Sequence, residues 1–281
     1  MRKAFLLIAL ALSGAPAASG QSLSHCSERY EGHVSAVRVE TARYVKVGGE
    51  WVEGPRRLGV VTTYSDDRRR SERTVYDDAG NASDIYVSVC YGNGRYAEIA
   101  HFDGARSLRT RTLLSPDGNL IEVFDAAGSL EQRAVIVRDG AGHVAGQRTY
   151  DGAGKLTHEE VREREARSFV SKRFDGGGRL LSKTVSSAEG ADGQGRIQHD
   201  VSVYGPDGLI GTGRETTVIV EGGRRPKRAA PSAAGGRGKQ EAVRYEKDGR
   251  GNVIKITQYE LNQATGEMEP RVVRYYEITY F

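Results

Sequence analysis

The sequence predicts an all-β chain: an antiparallel meander of consecutive hairpins forming one extended, twisted or curved sheet. Three observations predict it. A turn built on Asp and Gly recurs along the chain, the residues between turns alternate with period two, and the composition is rich in Gly (36) and Tyr (14) and sparse in Pro (7).

The turn reads Asp77-Asp78-Ala79-Gly80-Asn81, Asp125-Ala126-Ala127-Gly128-Ser129, Asp139-Gly140-Ala141-Gly142-His143, Asp151-Gly152-Ala153-Gly154-Lys155 and Asp175-Gly176-Gly177-Gly178-Arg179. It returns at Asp192–Arg196 and Asp248–Asn252, with shorter forms at Pro116–Leu120 and Pro206–Leu209. An Asp carboxylate accepts hydrogen bonds from backbone N–H groups just ahead of it and so starts a turn. Gly three residues on takes positive φ without a Cβ clash. A type I turn followed by a left-handed residue closes a hairpin with a bulge. An aromatic residue precedes several turns (Tyr76, Phe124, Tyr150, Phe174) and an aliphatic one follows (Leu130, Leu156, Leu180), which predicts a cross-strand pair at the mouth of each hairpin.

Taken in order, residues 1–20 read as a signal peptide. Arg2 and Lys3 precede the apolar run Ala4 to Leu12, which is too short to span a bilayer, and small residues follow. Gln21 to Arg29 reads as an irregular arm. A sheet domain follows over 21–221, opening with a strand from His33 to Val47, the tip Gly48-Gly49 and the return at Trp51-Val52. Leu58 to Tyr64 and Arg73 to Tyr76 flank the charged turn Asp66–Arg70, and hairpins then succeed one another to Gly213. Their spacing along the chain is irregular, which argues against a solenoid of fixed period. Thr157 to Ser168 is rich in Glu and Arg; with no apolar stripe it reads as a strand rather than a helix. Residues 222–240 form a Gly, Ala, Pro and Arg segment without periodicity, expected to be a flexible basic loop. Residues 241–281 supply the closing strands of the same sheet.

Arg148-Thr149-Tyr150-Asp151-Gly152-Ala153-Gly154-Lys155-Leu156 and Lys172-Arg173-Phe174-Asp175-Gly176-Gly177-Gly178-Arg179-Leu180 resemble the repeat of the RHS/YD-repeat family, with degenerate copies from about Tyr76 to Val253. The resemblance implies repeats that build a curved β-sheet wall and implies no catalytic residue within the repeat.

The net charge of +4 falls to +2 without Arg2 and Lys3. The stretch Glu221–Gln240 alone carries +5, so the sheet itself is slightly acidic. A basic face made by the fold is not indicated, so no specific nucleic-acid partner is expected. Arg224, Arg225, Lys227 and Arg228 are candidates for electrostatic contact with polyanions or anionic surfaces; the same segment also reads as a protease-sensitive loop or a solubilising linker. Export permits a disulfide between Cys26 and Cys90.

No catalytic, cofactor or metal residue is singled out. His158-Glu159-Glu160 begins like a zinc-protease motif, but Arg162 stands where the second His is needed. The remaining histidines share no ligand spacing. The expectation is a non-enzymatic, exported protein, periplasmic or extracellular, without cofactor, binding or scaffolding an unknown protein or envelope polymer. No transmembrane helix is expected. An outer-membrane β-barrel is the alternative, opposed by charges on both parities of most strands. A cell-wall or polysaccharide hydrolase is the second alternative.

Overall fold

The structure, a computed structural model, describes residues 30–92, 94–164, 168–189, 196–206, 208–221 and 240–281. Every regular element among them is a strand. The first nine are β1 (Val34–Val47), β2 (Glu50–Glu53), β3 (Arg57–Tyr64), β4 (Arg70–Tyr76), β5 (Ala82–Cys90), β6 (Tyr96–Asp103), β7 (Leu108–Leu114), β8 (Leu120–Asp125) and β9 (Leu130–Arg138). The rest are β10 (Val144–Asp151), β11 (Leu156–Arg164), β12 (Ser168–Asp175), β13 (Leu180–Glu189), β14 (Arg196–Gly205), β15 (Gly208–Glu221), β16 (Gln240–Lys247), β17 (Val253–Asn262) and β18 (Glu267–Tyr280). Thr157 to Arg164 is thus strand, as its missing apolar stripe predicts.

The turns form by the predicted chemistry. In the turn after β8, Asp125 Oδ1 accepts the N–H of Ala127 at 2.9 Å and of Ser129 at 2.8 Å, and Gly128 sits at φ 84°. The same pair of bonds recurs at Asp77, Asp103, Asp139, Asp151, Asp175 and Asp248. The predicted mouth pairs are register partners: Phe124 with Leu130, Tyr150 with Leu156, Phe174 with Leu180. Each stands at a bulge.

The irregular spacing read along the chain comes from mixing two edges of the sheet. Successive hairpin turns fall on alternate edges. On one edge they begin at Asp77, Asp103, Asp125, Asp151 and Asp175, between 22 and 26 residues apart. The Asp103 turn escapes the sequence pattern because Arg106, not Gly, holds its left-handed position, at φ 66°.

Neighbouring strands from β3 to β15 pair antiparallel in chain order, as do β16, β17 and β18. Two pairings depart from the expected meander. β15 and β16 run parallel, Thr216 opposite Gln240. A parallel neighbour requires a connection of a dozen or more residues, and the stretch between Glu221 and Gln240 is long enough to supply it. β1 lies between β3 and β18, bonded to both over Ala36–Thr41. The pairings therefore lead from β3 through β18 back to β1, and among the described strands β2 pairs with β1 alone. Setting β2 aside leaves an odd number of strands. Strict alternation of direction cannot bring an odd number back to its start, and the one parallel pair removes the conflict.

Register partners keep one face throughout. Val37 lies opposite Thr62 on one side and Ile278 on the other. Val273 belongs to the opposite face, across from Ala42 and Thr257. Burial is greatest along this junction: Val37 is 1% exposed and Val273 0%, with Val34, Ala42, Ala242, Thr257 and Tyr259 buried nearby. The first and last strands thus hold the best-packed part of the described molecule, and apolar burial is where the stabilisation per residue is largest.

Candidate functional site

The junction of β1 with β18 is clasped at both ends. At the β16–β17 turn, Asn252 is 4% exposed and ties three segments together. Its Oδ1 accepts the N–H of Glu31 at 2.6 Å, and its Nδ2 donates to the Glu31 carbonyl at 2.9 Å and to the Tyr280 hydroxyl at 2.8 Å. Tyr280 donates onward to Asp248 at 3.0 Å, and the Arg250 guanidinium lies 3.9 Å from the Tyr280 ring centroid. Next to it, His33 stacks at a tilt on Phe281 and reaches the Asp66 carbonyl at 2.9 Å.

The second clasp lies between Glu53, Arg56 and Tyr275. Tyr275 donates its hydroxyl to Glu53, Arg56 Nε contacts Glu53 at 3.2 Å, and the Arg56 guanidinium lies 3.6 Å above the Tyr275 ring. Burial, then the hydrogen bond and charge of Glu53, push the Tyr275 hydroxyl up to about 12. It stays protonated as a donor across the physiological range.

Both faces of the sheet carry charge. On the Val273 face neighbouring strands exchange ion pairs: Glu98–Arg111 at 2.7 Å, Glu122–Arg133 at 2.7 Å, Arg148–Glu159 at 2.8 Å, Glu163–Lys172 at 2.7 Å and Glu246–Lys255 at 3.5 Å. These partly exposed pairs are worth about 0–1 kcal/mol each. On the Val37 face, His101 Nε2 lies 2.8 Å from Asp84 Oδ1, and its ring stacks on Tyr86 with centroids 4.6 Å apart. The hydrogen bond from His101 is the largest influence on Asp84, whose carboxyl sits below its usual range. Asp84, Tyr86 and His101 lie on two strands with no motif spacing, so the trio leaves no signal in the sequence.

The hairpin of β1 and β2 projects. Pairing of β1 with β18 ends at Arg43 opposite Val272, two positions before Pro270, which has no N–H to continue the ladder. Beyond that point β1 pairs, among the described strands, only with β2, through Val45–Val52 and Lys46–Trp51. Val45, Val47 and Val52 are 48%, 59% and 46% exposed. Lys46 and Arg271 approach the Trp51 ring to 5.5 and 5.9 Å.

Of the residues singled out from sequence, Cys26 and the basic cluster Arg224, Arg225, Lys227 and Arg228 lie outside the described residues, as does the stretch 1–20 expected to be a signal peptide. Cys90 closes β5 and is 7% exposed. Its N–H donates to the Arg69 carbonyl at 2.8 Å, while Arg68 of the same turn donates to the Gly32 carbonyl. Gly32 and Cys90 thus both bond to one turn. His158 lies within β11, where burial first and Arg173 second lower its pKa below the ordinary histidine value. His143 sits at a turn, 3.4 Å from Asp139. No group of three metal-binding side chains occurs among the described residues.

No protein-family model matches the chain. No curated protein matches it by sequence. Among solved structures it is similar to a porin-like protein from Bacteroides uniformis, with 8% identity over 89% of this chain and 98% of that one, at a TM-score of 0.35. A likeness at that score carries no argument about role.

Proposed function

We propose that the mature chain is an exported, YD-repeat-type β-sheet protein of the cell envelope or extracellular space, which binds or scaffolds rather than catalyses. The observation that carries this reading is the sheet itself. Near-regular hairpins on one edge and charges on both faces give an extended, hydrated surface. The signal-like N-terminus supports export. The test is fractionation of the native host followed by crosslinking. Recovery in the envelope or medium, crosslinked to a protein or polymer, is expected; retention in the cytoplasm at full length overturns the reading.

One observation favours a second reading, an outer-membrane barrel: the pairings return from β18 to β1. A lipid-facing wall, however, needs one apolar face. Arg73, Asp84, Glu160 and Arg173 occupy the Val37 face, and the ion-pair series occupies the other. Release without detergent, by an alkaline carbonate wash at most, excludes the barrel; resistance to that wash with release by detergent alone excludes the first reading.

A further inference from the structure

We infer that the β1–β2 hairpin is a docking element for a phospholipid bilayer surface. The inference rests on the envelope reading above and names one partner for it. β3 reaches the level of Thr41 on β1, where Arg57 pairs with it. The tip Gly48-Gly49 lies seven residues further along, about 20 Å at the usual strand rise. The hairpin therefore stands clear of the Asp-rich turns on that edge. Three of the large apolar side chains left exposed in the molecule, Val45, Val47 and Val52, share one face of it. The other face holds Trp51 between Lys46 and Arg271, and Arg271 is itself paired with Glu260 at 3.1 Å and Glu269 at 3.9 Å. Aliphatic residues with a Trp and a flanking Lys46 are a composition that partitions into the headgroup boundary, the ring at the interface and the ammonium at phosphate.

A protein partner fits less well. Three half-exposed valines fall far short of the roughly 800 Å² per partner that a standard interface buries. Pairing the outer edge of β2 with a second copy in the register Trp51 opposite Val52 sets Glu50 against Glu53, a like-charge contact. Glu50 also shares the valine face, and its charge sets a limit on depth. Removing it strengthens a lipid contact and weakens contact with a cationic peptide, so it separates the two.

Trp51 is the only tryptophan in the chain, so intrinsic tryptophan fluorescence reports this hairpin alone. The experiment adds phosphatidylcholine vesicles, with and without phosphatidylglycerol, to the full mature protein. Expected are a blue shift of Trp51 emission and quenching by lipids brominated near the headgroup. The double variant Val47→Asn, Val52→Asn, on exposed positions, is expected to lower partitioning at least about tenfold with an unchanged circular dichroism spectrum. Glu50→Gln is expected to raise it. No shift with either vesicle overturns the inference. So does a shift that follows protein concentration without lipid, which marks a second copy as the occupant, or equal partitioning by the variants. An envelope-located protein that gives no Trp51 response defeats this inference and leaves the envelope reading standing.

Discussion

Gly152 and Gly140 occupy the same position in two copies of one turn, yet their replacement by alanine is expected to have opposite consequences. A Cβ built on Gly152 falls 2.0 Å from the carbonyl oxygen of Leu130, the first residue of the adjacent strand. That neighbour is backbone, so no rotamer change relieves the overlap, and the turn must lift away from the strand beside it. Gly176 meets the Leu156 carbonyl at 2.0 Å and Gly104 meets that of Ala82 at 1.9 Å, so the contact is a repeated feature of this edge. At Gly140, on the opposite edge, nothing lies within 4 Å. Overpacking of this kind costs roughly 1–3 kcal/mol, whereas Gly→Ala at an unstrained open position stabilises by about 0.4–1 kcal/mol through the unfolded chain. With an m-value of about 3 kcal/mol/M, Gly152→Ala lowers the urea midpoint by roughly 0.3–1 M, and Gly140→Ala raises it slightly. Urea titrations followed by circular dichroism on the two variants decide the matter. If their stabilities agree to within about 0.5 kcal/mol, hairpins on this edge do not nest turn against strand.

Three further outcomes are expected. Asn252→Ala removes the side chain that joins Glu31 to Tyr280; a loss of roughly 1–3 kcal/mol should appear, with faster hydrogen exchange at residues 30–33. The backbone N–H groups of Arg179 and Gly177 hold the Asp175 carboxyl below the ordinary aspartate value, and those of His143 and Ala141 do the same at Asp139. A depressed folded-state pKa contributes stability that is present above the unfolded value, about 3.9, and is lost as pH falls through the folded one. Acid unfolding should therefore begin below about pH 4, and Asp175→Asn should weaken that dependence in a pH series of thermal melts. Cys26 and Cys90 should be joined in the mature protein: intact mass should rise by about 2 Da on reduction, and Cys90→Ser should cost roughly 2–5 kcal/mol. Free thiols in the exported protein would refute the pairing.

What can be read from the sequence depends on how local each feature is. The turns are readable because one Asp carboxylate, two N–H groups within four residues and one Gly at positive φ suffice to make them. The mouth pairs follow for the same reason, since a turn of fixed length fixes which residues face each other. The Asp103 turn is missed because Arg106 adopts a conformation that the pattern reserves for Gly. The parallel pairing of β15 with β16 and the position of β1 between β3 and β18 depend on backbone contacts between distant segments, which leave no local mark. The clasp at Asn252 joins residues 221 apart in sequence, and nothing around Asn252 distinguishes it from the turn asparagine at Asn81.

The balance of forces in the sheet follows from the same division. Between β6 and β12 the buried side chains include His101, Thr112, Ala134, Thr149 and Val170, mostly polar or small, so apolar burial contributes little to the register there. The cross-strand ion pairs there are too weak singly to hold the strands. They nevertheless select the register. Glu122 is the direct partner of Arg133, and Arg148 of Glu159. A slip of one residue would move each charge to the opposite face and separate it from its partner. The turn therefore supplies the register and the charges penalise its loss. This arrangement needs neither face to be apolar, which is why the sheet can present charge on both.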